Sequence, residues 1–439
     1  MFVSKRILFF KSKSNGYMLF CGNSNSFYQI DEDNVPVIQN MIDTGDESKL
    51  PDDIREEFIK SGVLLKEDDE SLFNRLKYIS YLTRFDNKTL TLTIAPTMAC
   101  NFSCSYCYEG ERVKNLIMSD SVIDGLINFI KRGNFENLNV TWYGGEPLCA
   151  WNKIVKLNSE IKKLNLKTYI QRIVTNGSLI DVEKIKFFIE NDFKMVQITL
   201  DGNEEIQNKR RPMKNGESSY KTIMANLDLA YKYCKENNKK ISIIIRINID
   251  KENIDIYPQL YQMLSERYEN MFYIYPAFVQ KYSETDCHAH NCLSFQSSAE
   301  FILNLSKKHG IYSYNLFPRQ NIIVGCPAQR VNTFVVDTDG NLYKCWDDIC
   351  MPERKLGDVI NGVKDTYNLN PLFVMNGSGF EKEKCKNCLF LYSCLGGCSR
   401  SQFNNAQANY EINPTCKVIK NNPQAFLEEY YELKMRKSS

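Results

Sequence analysis

The sequence predicts an α/β protein in three parts: a partial, TIM-like (β/α)6 barrel in the middle, a winged-helix-like module before it and a cysteine-rich domain after it. Three observations predict this. Strand-like and helix-like segments alternate from about residue 89 to 280, which implies βα units and a parallel sheet. A shorter set of strands and helices precedes that region, and beyond about residue 281 the alternation fades while cysteines become dense. The boundaries fall at 1–88, 89–290 and 291–439.

Within the first part, 6–10 and 17–21 are strand-like and 35–42 is helix-like. A second helix opens at Pro51 and Asp52, where proline and acids suit a first turn, and stops at Gly62. Residues 63–65 form a closing strand, and a polar run follows over 66–70. A cap on the main domain is the alternative to a winged-helix-like module. The barrel strands are placed at 90–94, 139–143, 169–174, 196–200, 241–249 and 271–275. Helices between them cover 121–131, 153–164, 182–189, 220–234 and 254–264. Catalytic groups on such a sheet belong just beyond the C-terminal ends of the strands.

Composition narrows the function. The 439 residues are 43% hydrophobic and 25% charged, enough apolar material for real cores. The 55 basic and 53 acidic residues leave a net charge of +2, which argues against a nucleic-acid or membrane-surface binder. No apolar run approaches the ~18 residues of a membrane span. The run at 7–10 is too short for a signal-peptide core of roughly 7–15 residues, so a cytoplasmic location is expected. Of the 16 cysteines, ten fall into tight spacings. In a cytosolic protein, clustered cysteines point to metal rather than disulfides.

The first cluster, Cys100, Cys104 and Cys107, follows the first barrel strand, with three and then two residues between its members. A cubane iron–sulfur cluster is normally held by four thiolates, so three leave one iron open. Structural zinc takes four protein ligands, and no fourth lies in this loop. Cys100-Asn-Phe-Ser-Cys104-Ser-Tyr-Cys107 resembles the signature of the radical S-adenosylmethionine (SAM) superfamily. The resemblance implies that SAM chelates the open iron through its amine and carboxylate, and that an electron from the cluster splits SAM to a 5′-deoxyadenosyl radical. Further motifs fall at the strand ends. Gly144-Gly145-Glu146-Pro147, after strand two, resembles the family motif that binds the SAM amino group, the glycines allowing close backbone approach to a ligand. Thr175-Asn176-Gly177 and Thr199-Leu200-Asp201-Gly202 end strands three and four. By resemblance to sulfatase-activating enzymes, Thr199 and Arg211 contact the SAM carboxylate; Arg210 stands next to Arg211 in the same register. Arg246 and Asn248 share one strand face and face either SAM, substrate or polar groups of the core.

The C-terminal third carries Cys326, Gly340, Cys345, Cys385, Cys388, Cys394, Cys398 and Cys416. This order resembles the SPASM domain, which implies two auxiliary [4Fe–4S] clusters and three in all. By that resemblance Cys385, Cys388, Cys394 and Cys416 hold the distal cluster, and Cys326, Cys345 and Cys398 the nearer one. Its fourth ligand is Cys292, Cys287 or Cys350, or else an iron stays open for substrate. A zinc site within Cys287-His288-Ala289-His290-Asn291-Cys292 is the competing use of that run. Cys21, Cys149 and Cys234 are read as structural thiols.

The resemblance is strongest to ribosomal-peptide maturases, which install a thioether or carbon–carbon crosslink in a precursor peptide. Their N-terminal module binds the leader segment by strand addition to a sheet edge, and a flavodoxin- or ferredoxin-type protein supplies electrons. The alternative is an anaerobic sulfatase-maturating enzyme forming formylglycine. Those enzymes place a basic aspartate directly after the cysteine matching Cys345, where this chain has Trp346, with Asp347 and Asp348 beyond. Either aspartate is a candidate base; the alternative is a solvated turn acid. An iron–sulfur electron carrier or scaffold is a third reading, and it has no use for the glycine–glutamate motif.

Overall fold

Alternating burial along each middle strand builds the sheet on which the site stands. β6 (Thr89–Ile94) buries Leu90, Leu92 and Ile94 and turns threonines to the other face; β7 (Asn137–Trp142) repeats the pattern. The computed structural model describes residues 1–107, 109, 117–279, 291–312, 323–408 and 416–438. The chain divides into two compact units. One joins Met1–Phe85, Ser294–Arg330 and Phe373–Ser439; the other joins Asp86–Leu293 and Val331–Leu372.

In the second unit, β6, β7, β8 (Thr168–Thr175), β9 (Phe193–Thr199), β10 (Ile243–Ile249) and β11 (Tyr273–Phe278) are parallel neighbours in chain order. This is the expected six-stranded partial barrel. Intervening helices start at side-chain caps that satisfy open N–H groups. Ser119 caps α4 (Asp120–Arg132), Asp181 caps α6 (Val182–Glu190) and Ser218 caps α8 (Ser219–Asn237). α5 (Trp151–Lys162) and α9 (Tyr257–Arg267) complete the expected set. α7 (Glu204–Arg210), capped by Asn203, was not expected; seven residues are too few to show a helical period. The sheet also runs past β6. β12 (Thr333–Val336) pairs with it in parallel, and β13 (Asn341–Tyr343), β14 (Gly357–Asp358) and β15 (Gly362–Val363) follow antiparallel. Residues 331–372, expected in the cysteine-rich domain, therefore belong with the barrel.

The first unit starts with β2 (Ile7–Lys11), β3 (Tyr17–Cys21) and β4 (Ser26–Ile30), an antiparallel sheet in that order. β1 (Phe2–Val3) pairs with β5 (Leu64–Leu65). α1 (Val35–Thr44) and α2 (Asp52–Ser61) pack Ile38, Met41 and Phe58 against Leu19, Cys21 and Ile30. The opposite face carries Phe20 and Phe27, which meet Phe390 at 6.2 Å and Tyr430 at 5.6 Å between ring centroids. The expected polar run at 66–70 is instead a helix start: Asp68 accepts from the N–H groups of Glu70 and Ser71 and opens α3 (Asp69–Arg84).

The first unit's opening segment ends at Phe85, close to the boundary expected at residue 88, and α3 ties that segment to the C-terminal cysteine segment of the same unit. Phe73 lies in one core with Phe380, Leu391, Tyr392 and Leu395, against which Cys385 and Cys388 pack. Fully buried Arg84 bonds Glu381 at 2.9 Å and the Val374 carbonyl at 2.6 Å. Arg6, also buried, pairs with Asp69 at 2.9 Å, donates to the Lys386 carbonyl and lies over the Tyr392 ring. Residues 1–85 and the C-terminal cysteine segment thus share one core cluster, beside the separate one that residues 3–64 form among themselves. Among the described residues, no helix is long and apolar enough to cross a membrane.

Candidate functional site

The loop after β6 carries Cys100, Cys104 and Cys107 at the C-terminal end of the barrel strands, with the first two partly buried and Cys107 exposed. Its conformation is held from two sides. Residues 101–105 bond to the end of α7 and the segment after it: Ser103 N–H reaches the Pro212 carbonyl, Ser105 N–H reaches the Arg210 carbonyl and Lys214 N–H reaches the Asn101 carbonyl, each at 2.9 Å. On the other side stands the Gly144–Gly145 turn after β7. Gly145 N–H donates to the Thr97 carbonyl at 3.2 Å and Glu146 N–H to the Ala99 carbonyl at 2.9 Å.

The glycines are needed for that contact. A Cβ on Gly144, which also has φ +107°, would stand 2.5 Å from the Thr97 oxygen; one on Gly145 would stand 2.4 Å from the Met98 oxygen. The close approach expected toward a ligand is made, within this chain, to the backbone entering the cysteine loop. Glu146 is fully buried. It accepts from Thr175 Oγ1 at 2.6 Å, Asn176 N–H at 2.7 Å and Leu148 N–H at 3.0 Å. Burial pushes its carboxyl up, while these donors pull it back. Glu146 thus ties the β7 turn to the end of β8. Asn176 continues the chain of contacts, donating to Asn101 Oδ1 at 2.8 Å and approaching Cys100 Sγ at 3.9 Å. Burial pushes the Cys100 thiol up to about 12, so a metal there must displace a proton.

The two neighbouring arginines separate clearly. Arg210 is committed to carboxylates: Nη1 donates to Asp250 at 2.6 Å and Nε lies 3.6 Å from Asp201, with the guanidinium 5.1 Å from the Tyr106 ring centre. Arg211 is buried, donates to the Thr199 carbonyl at 2.6 Å and lies 5.7 Å from the Phe102 ring centre. Its buried Nε has no partner among the described residues, leaving a donor beside the cysteine loop. Thr199 is buried at the end of β9. Arg246 and Asn248 do share a face, joined at 2.8 Å, and Asn248 reaches the Tyr106 hydroxyl at 3.0 Å.

Sequence reading missed the residue at the centre of this network. Asp201, quoted above only within the stretch that ends strand four, is fully buried, accepts from the Tyr106 hydroxyl and from Asn248 N–H, and anchors the loop between Cys104 and Cys107 to the ends of β9 and β10. A buried acid next to a loop aromatic has no periodic signal; the Asp-Gly pair directly after a barrel strand was the only hint.

In the first unit, Cys385, Cys388, Cys394 and Cys416 line one pocket with Phe390 and Leu391. Four thiols around an apolar-floored pocket fit a cubane, whose four sulfur ligands each hold a different iron. Among the described residues, no three His, Cys, Asp or Glu side chains gather as a site for a single ion. Gly379 and Gly396 press backbone to backbone beside this pocket: a Cβ on Gly396 would lie 2.6 Å from the Gly379 nitrogen. Cys326 and Cys398 belong to this unit and Cys345, Cys292 and Cys350 to the other. Cys350 packs beside Ala95, Met98, Val335 and Tyr343. Cys287, His288 and His290 lie outside the described residues. Trp346 is 45% exposed and stacks on Tyr143 at 5.6 Å. Asp347 is partly buried and Asp348 fully buried in the short turn that follows, so neither is a freely solvated acid.

Residues 94–263 match the model of the Radical SAM superfamily, so the chain carries a radical SAM domain, and the comparisons support an enzyme that acts on a peptide or protein substrate. Proteins of this class bind a [4Fe–4S] cluster and SAM. Among curated proteins, a cysteine-type anaerobic sulfatase-maturating enzyme of Clostridium perfringens (strain 13 / Type A) is 27% identical over 361 residues, 75% of this chain and 94% of that protein. A solved structure of native anSMEcpe with bound AdoMet aligns with TM-score 0.61 at 22% identity, covering 79% of this chain and 98% of the other. Streptococcus suis SuiB bound to precursor peptide SuiA aligns with TM-score 0.51 at 16% identity, covering 95% of this chain and 99% of the other.

Proposed function

We propose that this chain is a peptide maturase that installs a thioether or carbon–carbon crosslink in a ribosomally made precursor peptide. The observation that carries the reading is the sheet-and-helix segment ahead of the barrel, with β2 and β4 as edge strands for a leader peptide. The likeness to SuiB covers 95% of the chain and so takes in most of this segment, against 79% for anSMEcpe. Trp346, where the sulfatase-maturating enzymes place their base, supports the same choice.

Cys100, Cys104 and Cys107 hold the radical cluster in this reading. Reduced and loaded, it supplies the electron that splits SAM and so the radical that takes hydrogen from the peptide. The chain's own residues prepare that event. Gly144, Gly145 and Glu146 fix the loop against β7 and β8; Asp201 and Arg210 fix it against β9 and β10. In this reading Arg211 and Thr199 receive the SAM carboxylate, and Arg246, paired with Thr199 from the middle of β10, contributes charge beside them. An auxiliary [4Fe–4S] cluster is assigned to Cys385, Cys388, Cys394 and Cys416. Asp347 or Asp348 accepts the proton lost as the new bond forms.

The curated relatives favour a second reading, formylglycine formation on a cysteine or serine of a sulfatase. One experiment separates the two. Reconstituted enzyme, SAM and reductant are incubated with a small peptide encoded beside its gene and, separately, with a sulfatase-motif peptide. Crosslinked product that loses two hydrogens and needs the leader supports maturation. Formylglycine in the sulfatase peptide, with no crosslink in the other, overturns it.

A further inference from the structure

The chain has three tryptophans, and two of them are used in packing. Trp142 is fully buried, with its N–H on Gln171 at 3.2 Å. Trp151 packs on Phe187 at 4.8 Å between ring centroids, with its N–H on Glu183 at 3.1 Å. Trp346 differs. It lies nearly flat on Tyr143, with 18° between the ring planes, and is still 45% exposed. Tyr143 covers one face, so the exposure belongs to the other face and the edge. Its N–H has no hydrogen-bond partner among the described residues. Two stacked rings with an open outer face make a flat apolar platform, the kind of surface on which a further ring packs well.

The platform stands at the reacting end of the barrel. Tyr143 directly follows β7, and its N–H donates to the Ile94 carbonyl at 2.9 Å. It directly precedes the Gly144–Gly145 turn, which abuts Thr97, Met98 and Ala99 on the way to Cys100. Ile117, paired with Thr97 in the same stretch, is exposed as well. Asp347 and Asp348, the candidate bases, follow Trp346 directly.

We propose that the outer face of Trp346 receives an aromatic side chain of the peptide substrate, and so selects which segment of the peptide is presented to the radical. The inference rests on the peptide-maturase reading. Trp346 is a specificity residue here, and no bond to it forms or breaks. Tryptophan at the centre of a contact is a common source of binding energy, and ring-on-ring packing gains more than the same buried area of an aliphatic side chain. A Trp346 that served only to cover Tyr143 would make binding indifferent to the substrate's side chains.

The test uses the reconstituted full-length enzyme and the small peptide encoded beside its gene. Each aromatic residue of the peptide is exchanged for Leu in turn, and each exchanged peptide is measured as a competitor of the unaltered one for crosslinking. The inhibition constant can be read even where the exchange removes a crosslinking residue, and it does not depend on the fraction of active enzyme. One exchange is expected to weaken binding to the parent about three- to tenfold, and to Trp346→Ala by less than about 1.5-fold. Trp346→Phe, which restores a ring, is expected to recover most of the parental factor. Should Trp346→Ala retain no crosslinking, Trp346→Leu is read in its place. The proposal is overturned if the peptide has no aromatic residue, if no exchange weakens binding to the parent, or if Trp346→Ala keeps the full preference. It is overturned equally if the preference follows a lysine or arginine of the peptide exchanged for Met, since an exposed indole also attracts cations. No crosslink from the parent enzyme refutes the maturase reading, and this proposal with it; a crosslinking parent with an unchanged preference in Trp346→Ala refutes this proposal alone.

Discussion

Replacing Gly145 with alanine isolates the contact that shapes the cysteine loop. The added Cβ would lie 2.4 Å from the Met98 oxygen, 2.5 Å from the Ala99 oxygen and 2.7 Å from the Ala99 carbonyl carbon. All three are backbone atoms, so no side chain can swing away. Ordinary contact begins at 3.4 Å, and the turn and the loop must therefore separate by about 1 Å. Overpacking of this kind costs about 1–3 kcal/mol. Because Gly145 and Glu146 donate to Thr97 and Ala99, the strain falls on the arrangement that presents Cys100. A cost of ~2 kcal/mol against that arrangement is a factor of about 30. Gly145→Ala is expected to lower 5′-deoxyadenosine formation at least tenfold and to retain less iron, with Cys100→Ala/Cys104→Ala/Cys107→Ala setting the zero. Gly216→Ala is the control. Gly216 has φ +79° with nothing within 4 Å of its Cβ position, so it costs about 1–2 kcal/mol of backbone strain without touching the loop, and SAM cleavage is expected to persist. Parental iron content and cleavage in Gly145→Ala would refute the account of the paired glycines.

Asp347→Asn or Asp348→Asn is expected to leave SAM cleavage intact and to lose crosslinked product, which places the defect after hydrogen abstraction; normal product from both puts the base elsewhere. Glu381→Ala leaves the buried Arg84 guanidinium without its carboxylate and is expected to cost about 3 kcal/mol in denaturant unfolding at neutral pH. Burial raises the Glu381 pKa, but Lys77 and Arg84 more than offset this and hold it below its ordinary 4.5. A depressed carboxylate stabilises the fold above its unfolded pKa and loses that contribution as pH falls through the folded one. The stability gap between parent and Glu381→Gln should therefore be full above pH 4.5 and close below it; a pH-independent gap would sink the assignment.

The sequence by itself determined the barrel, since alternating burial and 3.6-residue periods are local signals that survive without a structure. All six strands, β6 to β11, stand where the alternation placed them. The three-cysteine loop and the glycine, threonine and asparagine turns follow strands whose ends were readable for the same reason. Tertiary structure decided what long-range contact alone decides. Asp68 looked like one more polar residue until its side chain was seen to cap α3, whose Phe73 joins the core under Cys385 and Cys388. Arg210 and Arg211 are adjacent and chemically identical, yet one is committed to Asp250 and the other reaches the Thr199 carbonyl. Asp201 became the anchor of Tyr106 only because the ends of β9 and β10 lie side by side. A hydrogen bond between residues 95 positions apart leaves no period in the sequence; it exists once the sheet has brought its partners together.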